Sequence, residues 1–191
     1  MSVRPVFVSL AACAMVLGAA TISSAAPASA SGATLASSGS PHQIHARLTT
    51  SSPQLATCFP HARADVTVDL TTAAKGKDTF TVSARGLKPG TDFTVFLLQK
   101  AGAPFGAAEY IGDFTTDRYG SGANTFKLIV EEAFAFNNET HQRIDLNSVG
   151  FWFADPKDDD GCLGANSPVT GFDGDAEAGV QMMNSGTAIL P

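Results

Sequence analysis

Charge is scarce in this sequence: 12 Lys+Arg and 18 Asp+Glu make 16% of 191 residues, with a net charge of −6. A disordered acidic chain is charge-dense and poor in aromatics, and 13 Phe beside so little charge exclude that class. The shortage of basic residues excludes the usual nucleic-acid or anionic-membrane partner, which needs a basic footprint to displace counterions from phosphates. Cysteine is nearly absent, with three residues and no CxxC spacing, which removes a thioredoxin-like redox pair and a thiolate zinc site. The chain also lacks a G-x-S-x-G elbow, an H-E-x-x-H pair and a phosphate loop. Of four histidines only His61 and His141 lie beyond residue 57, too few for an imidazole-rich copper-zinc sandwich. No helical run is long enough for a βαβ unit, and the length suits one domain.

What is present begins with an export pattern over residues 1–30. Arg4 supplies a short positive segment, Val6 to Ala20 an apolar run too short to span a bilayer comfortably, and Ala28-Ser29-Ala30 a small-residue cleavage site. Removal of this signal peptide takes away Arg4 and leaves the mature net charge one unit more negative. Leu10-Ala11-Ala12-Cys13 offers the alternative of a lipobox with Cys13 as lipid anchor, although the apolar run continues through Ala14-Met15-Val16-Leu17. With Cys13 gone, Cys58 and Cys162 form the single possible intramolecular disulfide in an oxidising compartment.

Residues 31–57 are rich in Ser, Ala and Thr, with Pro41 and Pro53, and read as a flexible leader in which His42 and His45 are solvated. Residues 58–191 read as the folded domain. Asp65 to Leu70 and Thr79 to Arg85 alternate apolar and polar residues around a Lys75-Gly76-Lys77-Asp78 turn, the mark of an antiparallel hairpin. Phe93 to Leu98 is apolar on both faces and predicts a central strand. Further strands are expected at Glu109 to Thr116, Asn124 to Val130, Val149 to Ala154, Ala178 to Met183 and Thr187 to Leu190, with a short helical piece at Glu131 to Phe136. About seven or eight strands define an all-β class, an antiparallel immunoglobulin-like β-sandwich.

The segment Ala84-Arg85-Gly86-Leu87-Lys88-Pro89-Gly90-Thr91-Asp92-Phe93-Thr94-Val95 resembles the L-x-P-G-T-x-Y-x-V corner of fibronectin type III and related immunoglobulin-like sandwiches. In that family a tyrosine hydroxyl ties the corner back to the chain; Phe93 stands at the tyrosine position, which leaves only the packing half of the device. From Ala64 onward the chain also resembles uncharacterised exported β-sandwich proteins of high-GC Gram-positive bacteria, through Ala103-Pro104-Phe105-Gly106-Ala107, Ile111-Gly112-Asp113-Phe114 and Trp152-Phe153-Ala154-Asp155-Pro156. That resemblance implies location and fold only.

Three candidate sites follow from residue type. Asp158 and Asp160, with Asp173 and Asp175 in a second acidic loop, place carboxylates beside turn glycines, as a calcium ion requires; solvated turns are the other reading. An EF-hand is excluded, since aligning Gly161 with the loop glycine puts Pro156 first and Ser167 last. His141 with Glu139 and Glu131 or Glu132 makes an acid/base set only on paper, and a polar surface loop explains them. Phe105, Tyr119, Phe134 and Phe136 lie in loops or turns, where exposed aromatics stack on sugars or anchor proteins. The sequon Asn138-Glu139-Thr140 is a weak glycosylation signal, irrelevant if the source is bacterial. The reading is a secreted, noncatalytic, monomeric binding module or structural accessory with no cofactor, its partner an extracellular protein or cell-wall polysaccharide. The alternative is a secreted hydrolase or calcium-dependent enzyme built on the acidic late loops.

Overall fold

A computed structural model of the chain describes residues 42–170 and 176–191. The expected signal peptide, its cleavage site and Cys13 lie outside these residues, as do Asp173 and Asp175.

The elements in chain order are β1 (Gln43–Thr50), α1 (Pro53–Cys58), β2 (Arg63–Asp69), α2 (Thr72–Lys75), β3 (Asp78–Arg85), β4 (Asp92–Leu98), β5 (Ala108–Thr115), β6 (Gly122–Leu128), β7 (Phe134–Asn137), β8 (Gln142–Asp145), β9 (Ser148–Phe153), α3 (Asp160–Leu163) and β10 (Gln181–Asn184). Eight strands pair antiparallel in the order β5-β4-β9-β10-β1-β2-β3-β6, and β7 and β8 form a separate hairpin. The chain is thus all-β and antiparallel, as the alternation implies. β1 joins the two halves: Gln43 to Leu48 pair with β2, and Thr49 and Thr50 pair with β10. The halves fold over one sandwich-like core, since Val66, Val68, Phe80 and Val82 share an apolar cluster with Phe93, Val95, Phe151 and Phe153. Phe93 sits among Phe114, Phe151 and Phe153 at centroid distances of 5.3, 5.5 and 5.1 Å. Each such ring pair adds about 0.5–1.5 kcal/mol beyond the burial of its area.

The two ends of the strand order approach each other through the β5–β6 connection. The Asn124 side-chain amide donates to the Asp113 carbonyl at 2.6 Å, and a Cβ on Gly122 would come within 2.6 Å of the Thr115 carbonyl oxygen, so only glycine fits there.

Several expectations change. The supposed leader holds β1 and α1: Ile44, Ala46 and Leu48 alternate inward, and Ser52 caps α1 by accepting the Leu55 N–H ahead of Pro53. His45 lies on β1 with its ring nitrogens 3.1 Å from Thr67 Oγ1 and 2.7 Å from Gln43 Oε1. The helical piece at Glu131 to Phe136 reduces to a 3₁₀ turn, Val130–Glu132, followed by β7, because Phe134 and Phe136 alternate as a strand does. Thr187 to Leu190 forms no strand; the Ile189 and Leu190 amides both donate to the Asn147 carbonyl. The turn before β3 contains the short helix α2, closed by Gly76 at a left-handed φ of 71°.

Candidate functional site

β4 is apolar on both faces for a reason the main core does not supply. Phe93, Val95 and Leu97 enter that core, whereas Phe96 and Leu98 point outward and join Trp152 of β9, Ala178 and the half-buried Phe105 in a second apolar cluster. Phe96 and Phe105 both meet the Trp152 ring edge-on, at 5.2 and 5.0 Å. The Trp152 indole N–H donates to Thr170 Oγ1 at 2.9 Å, and that hydroxyl donates to the Gly179 carbonyl at 2.6 Å, which fastens the segment after α3 over this face. Phe105 is positioned by the β4–β5 hairpin: the Lys100 amide donates to its carbonyl at 3.0 Å, and Gln99 Oε1 accepts the Ala107 N–H at 3.1 Å. Gly106 makes this bend possible, with φ at 72° and Gln99 Oε1 only 2.1 Å from where a Cβ would stand.

Phe105 also walls an open cleft of about 580 Å³. One side is Ser51, Ser52, Gln54 and Leu55, at and before α1; the other is the stretch from Leu163 to Thr170; Val180, Gln181 and Asn184 lie between them. Among the described residues, none that lines the cleft is charged. Its amide floor is ordered before any ligand arrives. Gln181 Nε2 donates to the Ala101 carbonyl at 2.9 Å, Asn184 Nδ2 donates to Gln181 Oε1 at 2.8 Å, and the Gly186 N–H donates to Asn184 Oδ1 at 2.9 Å. The Ser51 hydroxyl donates to the Gln181 carbonyl. The volume falls within the range of small-molecule sites, roughly 300–1,000 Å³. A depression of about 320 Å³ beside β1 is smaller and holds Arg47 and Arg63.

Three ties hold the cleft walls. The Cys58–Cys162 disulfide joins α1 to α3 across a Cα separation of 5.9 Å, as the cysteine count requires. Gln54 Nε2 donates to the Cys162 carbonyl at 3.3 Å. Asp159, fully buried, accepts the Ser167 hydroxyl on one oxygen and the Val180 N–H at 2.9 Å on the other. Asp159 was indistinguishable from its acidic neighbours in sequence.

The other candidate residues are elsewhere. Tyr119 tips the β5–β6 turn, 70% exposed, with the Arg118 guanidinium 4.5 Å above its ring. That turn is built by Asp117, whose carboxylate accepts the Ser121 and Tyr119 amides at 3.0 and 2.8 Å; these bonds hold its pKa below the ordinary value. Phe134 and Phe136 lie on the β7–β8 hairpin, one beneath Arg143 at 4.3 Å and the other edge-on to His141 at 6.5 Å. No ring contact among the described residues links Phe105, Tyr119 and this pair. Asp158 is engaged by Lys88, whose ammonium donates to its carboxylate at 2.7 Å and its carbonyl at 2.9 Å. Asp160 opens α3. No group of three or more His, Cys, Asp or Glu suited to a metal occurs among the described residues. Likewise no helix among them is long and apolar enough to cross a membrane. His141 is exposed at a hairpin tip, and no hydrogen bond joins it to Glu131, Glu132 or Glu139.

Comparison with known proteins finds no matching family model, no similar curated protein and no similar solved structure.

Proposed function

We propose that this protein is an exported, noncatalytic binding module whose cleft takes a neutral, hydroxyl-rich ligand, a cell-wall polysaccharide. The observation that carries the reading is the lining: the carboxamides of Gln54, Asn166, Gln181 and Asn184 and the ring of Phe105 set in a largely apolar surface that includes Leu55, Ala103, Leu163, Pro168 and Val180, with no charge among the described residues. Sugars are recognised by such sets, because each hydroxyl needs a donor or acceptor while the C–H faces of the ring pack on aromatic carbon. The amide floor is preorganised, which lowers the ordering cost of binding. The disulfide supports an oxidising, extracellular location.

The test is retention of the mature chain on cell-wall material and on its isolated neutral polysaccharide, with release of reducing ends followed in the same samples. Saturable retention, reduced at least tenfold by Phe105→Ala or Asn166→Ala and without release of reducing ends, is the expected result. Retention that both variants leave unchanged overturns the site, and enzymatic release of sugar overturns the noncatalytic reading.

A further inference from the structure

Phe105 has two working sides. Opposite the cleft it closes a recess of about 150 Å³ whose other walls are Phe96, Leu98, Ala108 and Trp152. The two spaces share Phe105 and Thr170 and therefore adjoin. Thr170 is the polar side chain on the recess wall, and its hydroxyl is already committed to the Trp152 N–H and the Gly179 carbonyl. The recess consequently offers an entering group apolar carbon and ring edges rather than hydrogen bonds. A volume of about 150 Å³ is enough for one benzene ring, and the recess opens to solvent beside the exposed Ala108, so a ring can enter it. The walls cannot readily collapse inward: Phe96 and Leu98 are fixed by the β4–β9 ladder, and Trp152 by its bond to Thr170. Ala108 leaves space on the recess wall that a larger side chain would fill.

We propose that this recess binds a single aromatic ring carried by the ligand whose polar body occupies the cleft, so that the preferred ligand class is a neutral sugar bearing an aryl substituent. The inference rests on the cleft reading for the sugar and on the recess alone for the ring. Edge-to-face contact with Phe96, Phe105 and Trp152 favours an aromatic group over an alkyl chain of the same volume.

Trp152 is the one tryptophan of the chain, so its emission reports the recess directly. Three probes separate the two parts: benzyl alcohol for the ring, methyl β-cellobioside for the sugar, and phenyl β-cellobioside for both. Benzyl alcohol is expected to change Trp152 emission saturably and to give intermolecular NOEs to the Leu98 and Ala108 methyls in the unaltered protein. The phenyl glycoside is expected to bind at least about tenfold more tightly than the methyl glycoside, the value of burying one ring. Ala108→Leu, on the exposed start of β5, fills the recess; it should abolish the benzyl alcohol response and the tenfold preference while methyl glycoside binding stays within twofold. No saturable response and no NOEs with benzyl alcohol overturn the proposal, even if methyl β-cellobioside binds and the cleft reading stands. A benzyl alcohol response with neither glycoside bound more tightly than benzyl alcohol keeps the recess but overturns the joint ligand and the cleft reading.

Discussion

Thr116 Oγ1 accepts the Thr91 N–H at 2.9 Å and donates to the Lys88 carbonyl at 2.6 Å, and both threonines are buried. This hydroxyl closes the turn from Lys88 to Thr91 that leads into β4. The tie comes from the residue that follows β5, and Phe93 at the start of β4 packs with Phe114, Phe151 and Phe153. Thr116→Val leaves the Thr91 N–H buried without a partner and should cost about 2 kcal/mol, while Thr116→Ser should retain most of the stability. Denaturant unfolding of the three proteins measures this.

Asp78 is 1% exposed and accepts three backbone amides, from Thr71 at 2.7 Å, Thr72 at 2.9 Å and Val130 at 3.1 Å. Burial works to raise its pKa, but hydrogen bonds from Thr72, Val130 and Thr71 together outweigh it and hold the pKa below 3.8. A carboxylate depressed in the folded state contributes stability that is fully present above its unfolded pKa and is lost as pH falls through the folded value. Stability should therefore decline from about pH 4 downward, and Asp78→Asn should lower stability at neutral pH and flatten that acid slope. Unfolding curves at a series of pH values distinguish the two proteins.

The Cys58–Cys162 bond closes a sequence separation of 104 residues. Its loss in a Cys58→Ser, Cys162→Ser double variant should cost roughly 4 to 5 kcal/mol by the chain-entropy argument. Because it joins the two sides of the cleft, ligand retention should weaken under conditions where the double variant remains folded. Thermal unfolding, followed by retention below the transition, checks both parts.

Thr94 Oγ1 is buried on β4 with no hydrogen-bond partner among the described residues. A buried hydroxyl without a partner costs about 1–3 kcal/mol, and valine has nearly the same shape without that group. Thr94→Val should accordingly raise the melting temperature, an uncommon direction for a core substitution.

Strands with strict alternation were legible before the structure: Val66 and Val68 in β2, Phe80 and Val82 in β3, and the apolar runs of β4 and β9. β1 was not, because Ile44 and Leu48 are diluted by Ala46 and two threonines, and its place is decided by pairing with β2 nearby and β10 far along the chain. The β7–β8 hairpin is hidden for a related cause: Glu131 to Phe136 reads as a short helical piece before a polar loop, and the strand is set by the pairing of Phe134–Asn137 with Gln142–Asp145. At the site, Phe105 was visible as a loop aromatic beside Pro104 and Gly106. The cleft it borders was not, because its walls come from four segments brought together only by the fold. Asp159 illustrates the same limit. Only packing against Ser167 and Val180 separates it from Asp158 and Asp160.

The most direct test of the binding account is amide and side-chain NMR of the mature chain titrated with soluble fragments of the neutral cell-wall polysaccharide. The account expects saturable shifts concentrated at Gln54, Phe105, Asn166, Thr170 and the Trp152 indole N–H, with Tyr119 and the Phe134–Phe136 hairpin unmoved. Shifts confined to that hairpin or to the Tyr119 turn, or none at all, would contradict it.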